Sequence, residues 1–168
     1  NSKQIYKYIS DLKNHGMTNR NIVRNFGYVS RMDNLQAAIL NFRFSKLKKV
    51  IKIRRENASL YRQFIQSKKV FIPENKFEEF NTFHTFVIQV PKRNELRKYL
   101  NIKNISTGIQ YPLSLPEVPL FRSKYFSKNK KMNSIKYSKE IVSLPIGEHL
   151  TLKEIKKVSS EIIFFFNA

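Results

Sequence analysis

The stretch Gly27-Tyr28-Val29-Ser30-Arg31-Met32-Asp33-Asn34-Leu35-Gln36-Ala37-Ala38-Ile39-Leu40 changes character halfway, from residues that suit a turn to residues that suit a helix. Gly27 permits the backbone turn that closes an irregular, polar run over residues 17–29. Ser30 followed three residues later by Asp33 resembles a capping box, in which side chains satisfy the unpaired N–H groups of a first helical turn. Beyond it Leu35, Ile39, Phe42, Leu47, Val50, Ala58, Tyr61 and Ile65 recur at roughly helical spacing, and neither proline nor glycine interrupts residues 31–66. A helix of that length would span about 54 Å at ~1.5 Å per residue, so it is expected to bend or to connect two lobes. Its basic face of Arg43, Lys46, Lys49 and Arg55 reads as solvated surface.

Upstream, Ile5, Ile9 and Leu12 form one apolar stripe on a short helix over residues 2–14, with Gly16 as its stop. The chain opens on Asn1 with that helix at once, so a preceding segment is expected. Downstream, Val70-Phe71-Ile72 before Pro73, Thr82 to Val90 before Pro91, and Ser106 to Gln110 read as strands, with a helical segment over Arg93 to Leu100. Pro112, Pro116 and Pro119 enforce a loop after Tyr111. A helix near Ile135 to Val142 precedes an extended stretch at Ser143-Leu144-Pro145-Ile146. Thr151 with Glu154 is a second capping box, opening a last helix striped by Leu152, Ile155, Val158, Ile162 and Phe166. The fold class is α+β: one long helix over 31–66, then a small domain over 67–168 of about three strands flanked by helices.

A chain of 168 residues can bury about 70% of its unfolded surface, so a true core is available. The absence of cysteine excludes disulfides, thiolate metal sites and a cysteine nucleophile, and fits a reducing, cytoplasmic setting. His15, His84 and His149 are too widely separated for a metal-ligand pattern, and four glycines leave no phosphate-cradling loop. The longest apolar run, Ile162 to Phe166, is far below the roughly 20 residues of a membrane span. A net charge of +20 raises nucleic-acid binding, yet lysine and arginine are spread over every segment, with local runs at 46–55 and 128–131 and no accompanying RNA or zinc-finger motif. A general lysine bias is the simpler reading, so no specific nucleic-acid partner is expected.

Several stretches, in order, resemble the DegT/DnrJ/StrS sugar-nucleotide aminotransferase family. The block from Gly27 to Leu40 is the most specific, joined by Leu12-Lys13-Asn14-His15-Gly16, His84-Thr85-Phe86-Val87-Ile88-Gln89-Val90, Thr107-Gly108-Ile109-Gln110-Tyr111-Pro112 and Ser143-Leu144-Pro145-Ile146 with His149-Leu150-Thr151. The resemblance implies a fold-type-I pyridoxal 5'-phosphate enzyme of large and small domains. It further implies a homodimer that moves an amino group, usually from glutamate, to a keto group on a nucleotide-linked sugar. Residues 1–30 would then be the end of the large domain and a loop reaching toward the dimer partner. In the family the cofactor-bearing lysine and the aspartate on the pyridine nitrogen lie upstream of this stretch, so the chain alone is expected to be inactive, with no catalytic residue of its own.

The resemblance marks Ser30 for the cofactor phosphate and Arg31, His84, Gln110 and Tyr111 for substrate. Each has a plainer reading: Arg31 a surface arginine near a helix start, His84 a hydrogen-bonded histidine inside the small domain, Tyr111 a ring packed beside Pro112. Val29 stands where the family usually has an asparagine that donates to the phosphate in the other subunit, and valine has no donor. Gln110 and Pro116 stand where histidines are usual. These departures keep open a non-catalytic relative that retains dimerisation or sugar-nucleotide binding.

Overall fold

The computed structural model of the chain describes residues 2–76, 78–121 and 132–167; the lysine run at 128–131 lies outside them. The backbone divides into two compact units, Asn1–Leu47 and Lys48–Ala168. In the first, α1 (Lys3–Leu12) is capped by the Ser2 side chain, which accepts from the Ile5 N–H at 3.4 Å. His15 and Gly16 then take left-handed backbone, with φ of 59° and 74°. The run expected to be irregular holds a small hairpin, β1 (Met17–Asn19) paired antiparallel with β2 (Ile22–Val23). Its signal, Thr18 and Ile22-Val23 either side of a polar turn, is too short to stand out as strand periodicity.

The helix expected over 31–66 forms as α2 (Asn34–Phe64). Its N-terminus differs from the expected Ser30–Asp33 box. Asp33 immediately precedes the helix, and its N–H donates to the Gln36 side-chain oxygen at 3.1 Å. Gln36 is three residues after Asp33 and can reach back; Ser30 is a full turn too early. Residues 34–47 of α2 belong to the first unit and 48–64 to the second.

The second unit is built on β3 (Phe86–Gln89) paired antiparallel with β4 (Ile141–Leu144), Phe86 opposite Leu144 and Gln89 opposite Ile141. The expected strands beside them shrink to single bridges: Phe71 exchanges both hydrogen bonds with Gln89, and Gly108 both with Ser143. Pro73 and Pro112 bound these segments and stop them from extending. The strand expected from Thr82 starts only at Phe86, because Phe83 is left-handed at φ 47° and its N–H is taken by the Asn81 side chain at 2.8 Å. The helix expected over Ile135 to Val142 is α4 (Asn133–Tyr137), and Ile141 and Val142 join β4 instead, where their branched side chains suit a pleated strand.

Phe86 and Ile88 alternate inward from β3, as do Val142 and Leu144 from β4. They meet Ala58 and Tyr61 of α2, Leu96 and Leu100 of α3 (Arg93–Ile102), and Ile155, Val158, Ile162 and Phe166 of α5 (Leu152–Asn167). The box opening α5 forms as expected: the Thr151 N–H and hydroxyl donate to Glu154 at 2.8 and 2.7 Å, and the Glu154 N–H returns to the Thr151 hydroxyl at 3.3 Å. Two ties hold the inner half of α2 to the turn before α5: Asn57 donates to the Gly147 carbonyl at 3.1 Å, and Arg54 lies 3.6 Å from Glu148. A buried guanidinium, Arg93, fastens α3 to β4 by donating to the carbonyls of Ser138 and Ile141 at 3.2 and 2.9 Å.

The first unit has a different economy. No residue of α1 is buried, and Leu35, Ile39, Phe42 and Leu47 on the outer half of α2 remain exposed. Their apolar spacing is helical, but among the described residues nothing covers them. Among the described residues, no helix is long and apolar enough to cross a membrane.

Candidate functional site

Ser30 and Arg31 sit on a segment locked by backbone alone. Tyr28 donates to the Leu12 carbonyl at 2.7 Å, His15 to Tyr28 at 3.0 Å, and Ser30 to Lys13 at 2.9 Å. The two glycines make this possible. A Cβ on Gly16 would stand 1.8 Å from the Asn25 carbonyl oxygen, and one on Gly27 would stand 2.1 Å from the Gly16 nitrogen. Because backbone meets backbone there, the side chains of Val29, Ser30 and Arg31 all project exposed. A hydroxyl and a guanidinium on adjacent residues can together hold a phosphate or carboxylate.

The other residues singled out by sequence lie in the second unit, and the chain does not bring them together. His84 is exposed two residues before the Phe86–Leu144 pair, so it is not the interior histidine of its plainer reading. Gln110 is exposed, and Tyr111 lines a cleft with Ile141, the partner of Gln89. His84 and Tyr111 thus belong to opposite ends of the β3–β4 pair, whose three residue steps span about 10 Å.

The cleft beside Tyr111 has a volume of about 650 Å³. Leu113, Leu115, Pro116 and Tyr137 give it apolar walls, and Ser114, Ser134 and Ser138 contribute hydroxyls. Tyr111 is 70% exposed and faces this opening, rather than being packed away beside Pro112. Glu117, which does not itself line the cleft, ties together two residues that do, Ser114 and Ser138. Its carboxylate accepts from the Ser114 N–H at 3.0 Å, from the Ser114 hydroxyl at 2.8 Å, and from the Ser138 hydroxyl at 3.3 Å. The Ser114 N–H, then its hydroxyl, hold the Glu117 carboxyl below the usual carboxylate range, so it is ionised at neutral pH. Sequence reasoning passed over this group, although Ser114-Leu115-Pro116-Glu117 is itself a capping-box pattern. An apolar cleft edged with hydroxyls suits a ligand with a hydrophobic face and several hydroxyl groups.

Every described lysine is exposed, and the described residues contain no cluster of histidine and acidic side chains able to hold a metal ion.

Comparison with known proteins covers both units. Residues 1–163 match the DegT/DnrJ/EryC1/StrS aminotransferase family. A pleiotropic regulatory protein of Geobacillus stearothermophilus is 32% identical over 83% of the chain and 38% of its own length. The dTDP-3-amino-3,6-dideoxy-alpha-D-galactopyranose transaminase of Aneurinibacillus thermoaerophilus is 30% identical over 94% of the chain and 43% of its own length. In fold, the chain superposes on S. venezuelae DesV with a TM-score of 0.86 at 22% identity, covering 98% of the chain and 44% of DesV. A DegT/DnrJ/EryC1/StrS aminotransferase from Brucella abortus gives a TM-score of 0.85 at 20% identity. The chain thus spans about two fifths of the length of the curated relatives it matches.

Proposed function

The chain belongs to the DegT/DnrJ/EryC1/StrS aminotransferase family, and from that premise we propose that it is the C-terminal part of a pyridoxal-phosphate-dependent enzyme that aminates a keto sugar nucleotide, with glutamate as donor. The observation that carries the reading is the exposed apolar stripe of the first unit. Ile5 and Ile9 of α1 and Leu35, Ile39 and Phe42 of α2 have the spacing of buried helix faces, yet each is more than half exposed. A patch of that kind marks a surface made to be covered. In this reading residues 1–30 close a large domain and reach toward a dimer partner, 31–66 connect, and 67–168 form the small domain.

The residues present fit the periphery of the cofactor. Ser30 and Arg31, held outward by the Leu12–Ser30 backbone zipper, can take its phosphate or the substrate's anionic groups. Tyr111, with the Ser114 and Ser138 hydroxyls that line the same cleft, offers hydrogen bonds to sugar hydroxyls, the exposed Gln110 adjoins Tyr111 in the chain, and His84 serves substrate from the other end of the sheet. When bound, pyridoxal phosphate supplies the electron sink that lets an amino group move between donor and sugar carbons. In this reading the lysine that anchors it belongs to residues outside this stretch.

The test is a chimera. The matching segment of the Aneurinibacillus transaminase is replaced by this chain, and glutamate-dependent amination of that enzyme's keto sugar is followed. Retained cofactor and turnover are expected, with loss of turnover in Arg31→Ala. A folded chimera that holds cofactor and never transfers an amino group overturns the proposal. The isolated chain, mixed with cofactor and reduced with borohydride, should yield no stable lysine adduct.

A second reading, a non-catalytic relative kept for dimerisation or sugar-nucleotide binding, is favoured by Val29, whose exposed side chain offers no donor. Under it the chimera retains cofactor only after Val29→Asn.

A further inference from the structure

We infer that Glu117 is a positioning residue that sets the hydrogen-bond polarity of the cleft beside Tyr111. It commits the protons of two buried hydroxyls, Ser114 and Ser138, so that both oxygens meet a ligand as acceptors and select one that donates. This role deepens the proposed function and rests on its reading of the cleft as the sugar pocket.

A serine hydroxyl has one proton and two lone pairs, and an ionised carboxylate has no proton to give. Wherever the two meet, the hydroxyl donates. Ser114 donates to the Glu117 carboxylate at 2.8 Å, which spends its proton. Ser138 reaches the same carboxylate oxygen at 3.3 Å and the Ile135 carbonyl at 3.0 Å. Both are acceptors, so its proton is spent whichever it takes. Ser114 and Ser138 are 8% and 5% exposed, and both line the cleft, where only their lone pairs are left to offer.

Glu117 is held to this task by its place on the turn Leu115–Glu117, where the same oxygen also accepts from the Ser114 N–H at 3.0 Å. Three donors converge on one oxygen, and the carboxylate cannot swing aside without losing all three. Ser134, the third serine of the cleft, is exposed and can turn its hydroxyl either way. Buried acceptors reject a ligand with no proton to give, because acceptor would face acceptor. Phosphate and carboxylate oxygens are acceptors as well, so a sugar would enter this cleft by its hydroxyls.

Cyclohexanol and cyclohexanone test the polarity directly, since they share an apolar ring and one oxygen and only the alcohol donates. Each is titrated into the chain and followed by the amide resonances of Ser114, Tyr137 and Ser138. The alcohol should bind about tenfold more tightly. Glu117→Met, which frees the Ser114 proton, should bring the two probes within about twofold, and Glu117→Gln, which keeps an acceptor oxygen in place, should restore the gap. A merely structural role would weaken both probes and leave their ratio intact. Should Glu117→Met fail to fold, Ser114→Ala carries the same test, weakening the alcohol and sparing the ketone, while Ser134→Ala should leave the ratio unchanged. Equal affinities in the parent overturn the inference. So does a ratio indifferent to Glu117→Met or to Ser114→Ala, or a failure of both probes to saturate at these amides. No activity is read, so failure here leaves the amino-transfer reading standing.

Discussion

Replacing Tyr61 by phenylalanine should make the protein more stable. Tyr61 is fully buried, its ring is stacked on Phe86 at 5.1 Å, and its hydroxyl has no hydrogen-bond partner among the described residues. An unpaired hydroxyl buried in a core costs about 1–3 kcal/mol relative to water. Phenylalanine keeps the ring, the stack and the volume and removes only that cost. The expected gain is about 1 kcal/mol, which for a chain of this size raises Tm by roughly 2–4 °C. Urea unfolding followed by far-UV circular dichroism should show a higher midpoint with an unchanged slope.

The pH dependence supplies a second signature of the same group. Burial first, and then the negative charge of Glu154, push the Tyr61 hydroxyl well above the ordinary tyrosine range. A folded-state pKa above the unfolded one means that the neutral form's contribution is complete below ~pH 10 and is lost as pH rises beyond it. The advantage of Tyr61→Phe should therefore widen above ~pH 10. A variant less stable than the parent by 1 kcal/mol or more at neutral pH would refute the reasoning, because the hydroxyl would then have to be satisfied.

Three further outcomes follow from other sites. Arg93→Met should lose about 3 kcal/mol in urea unfolding, since it strands the Ser138 and Ile141 carbonyls in a buried place, and Arg93→Lys should restore it only in part, because the shorter side chain also gives up the Nε–H bond to the Asn94 side chain. Gly27→Ala should disrupt the first unit by more than about 3 kcal/mol, because its Cβ would meet the backbone of Gly16, His15 and Leu12, and hydrogen exchange at the Tyr28 and Ser30 amides should become fast. The Glu154 carboxyl is held below the usual range, first by the Thr151 N–H and then by its hydroxyl. Its stabilising effect is present above the ordinary carboxylate pKa and is lost as pH falls through the lower folded value, so Glu154→Gln should flatten the acid limb of a stability–pH curve.

Much of the site and fold could be read from residues close together in the chain. The Leu12–Gly16 and Gly27–Ser30 blocks are recognisable as sequence because they meet backbone to backbone, which admits glycine and little else at positions 16 and 27. The Thr151–Glu154 box is legible because both partners lie within one helical turn. Helical periodicity disclosed α2 over most of its length, but the same periodicity misjudged the helix near Ile141, where pairing with Gln89 prevailed.

What the sequence determined by itself is therefore local: family blocks, helix starts, turns and the α+β class, all set by interactions over a few residues. Only the tertiary structure decided which apolar faces are covered, leaving Leu35 and Ile39 exposed while Tyr61 on the same helix is sealed. It also separated His84 from Tyr111 along one strand pair, and it sank Arg93 against carbonyls 45 and 48 residues away. Burial and pairing depend on contacts between distant segments, and hydrophobic spacing within a segment records only that a face is fit to be buried, not what will bury it.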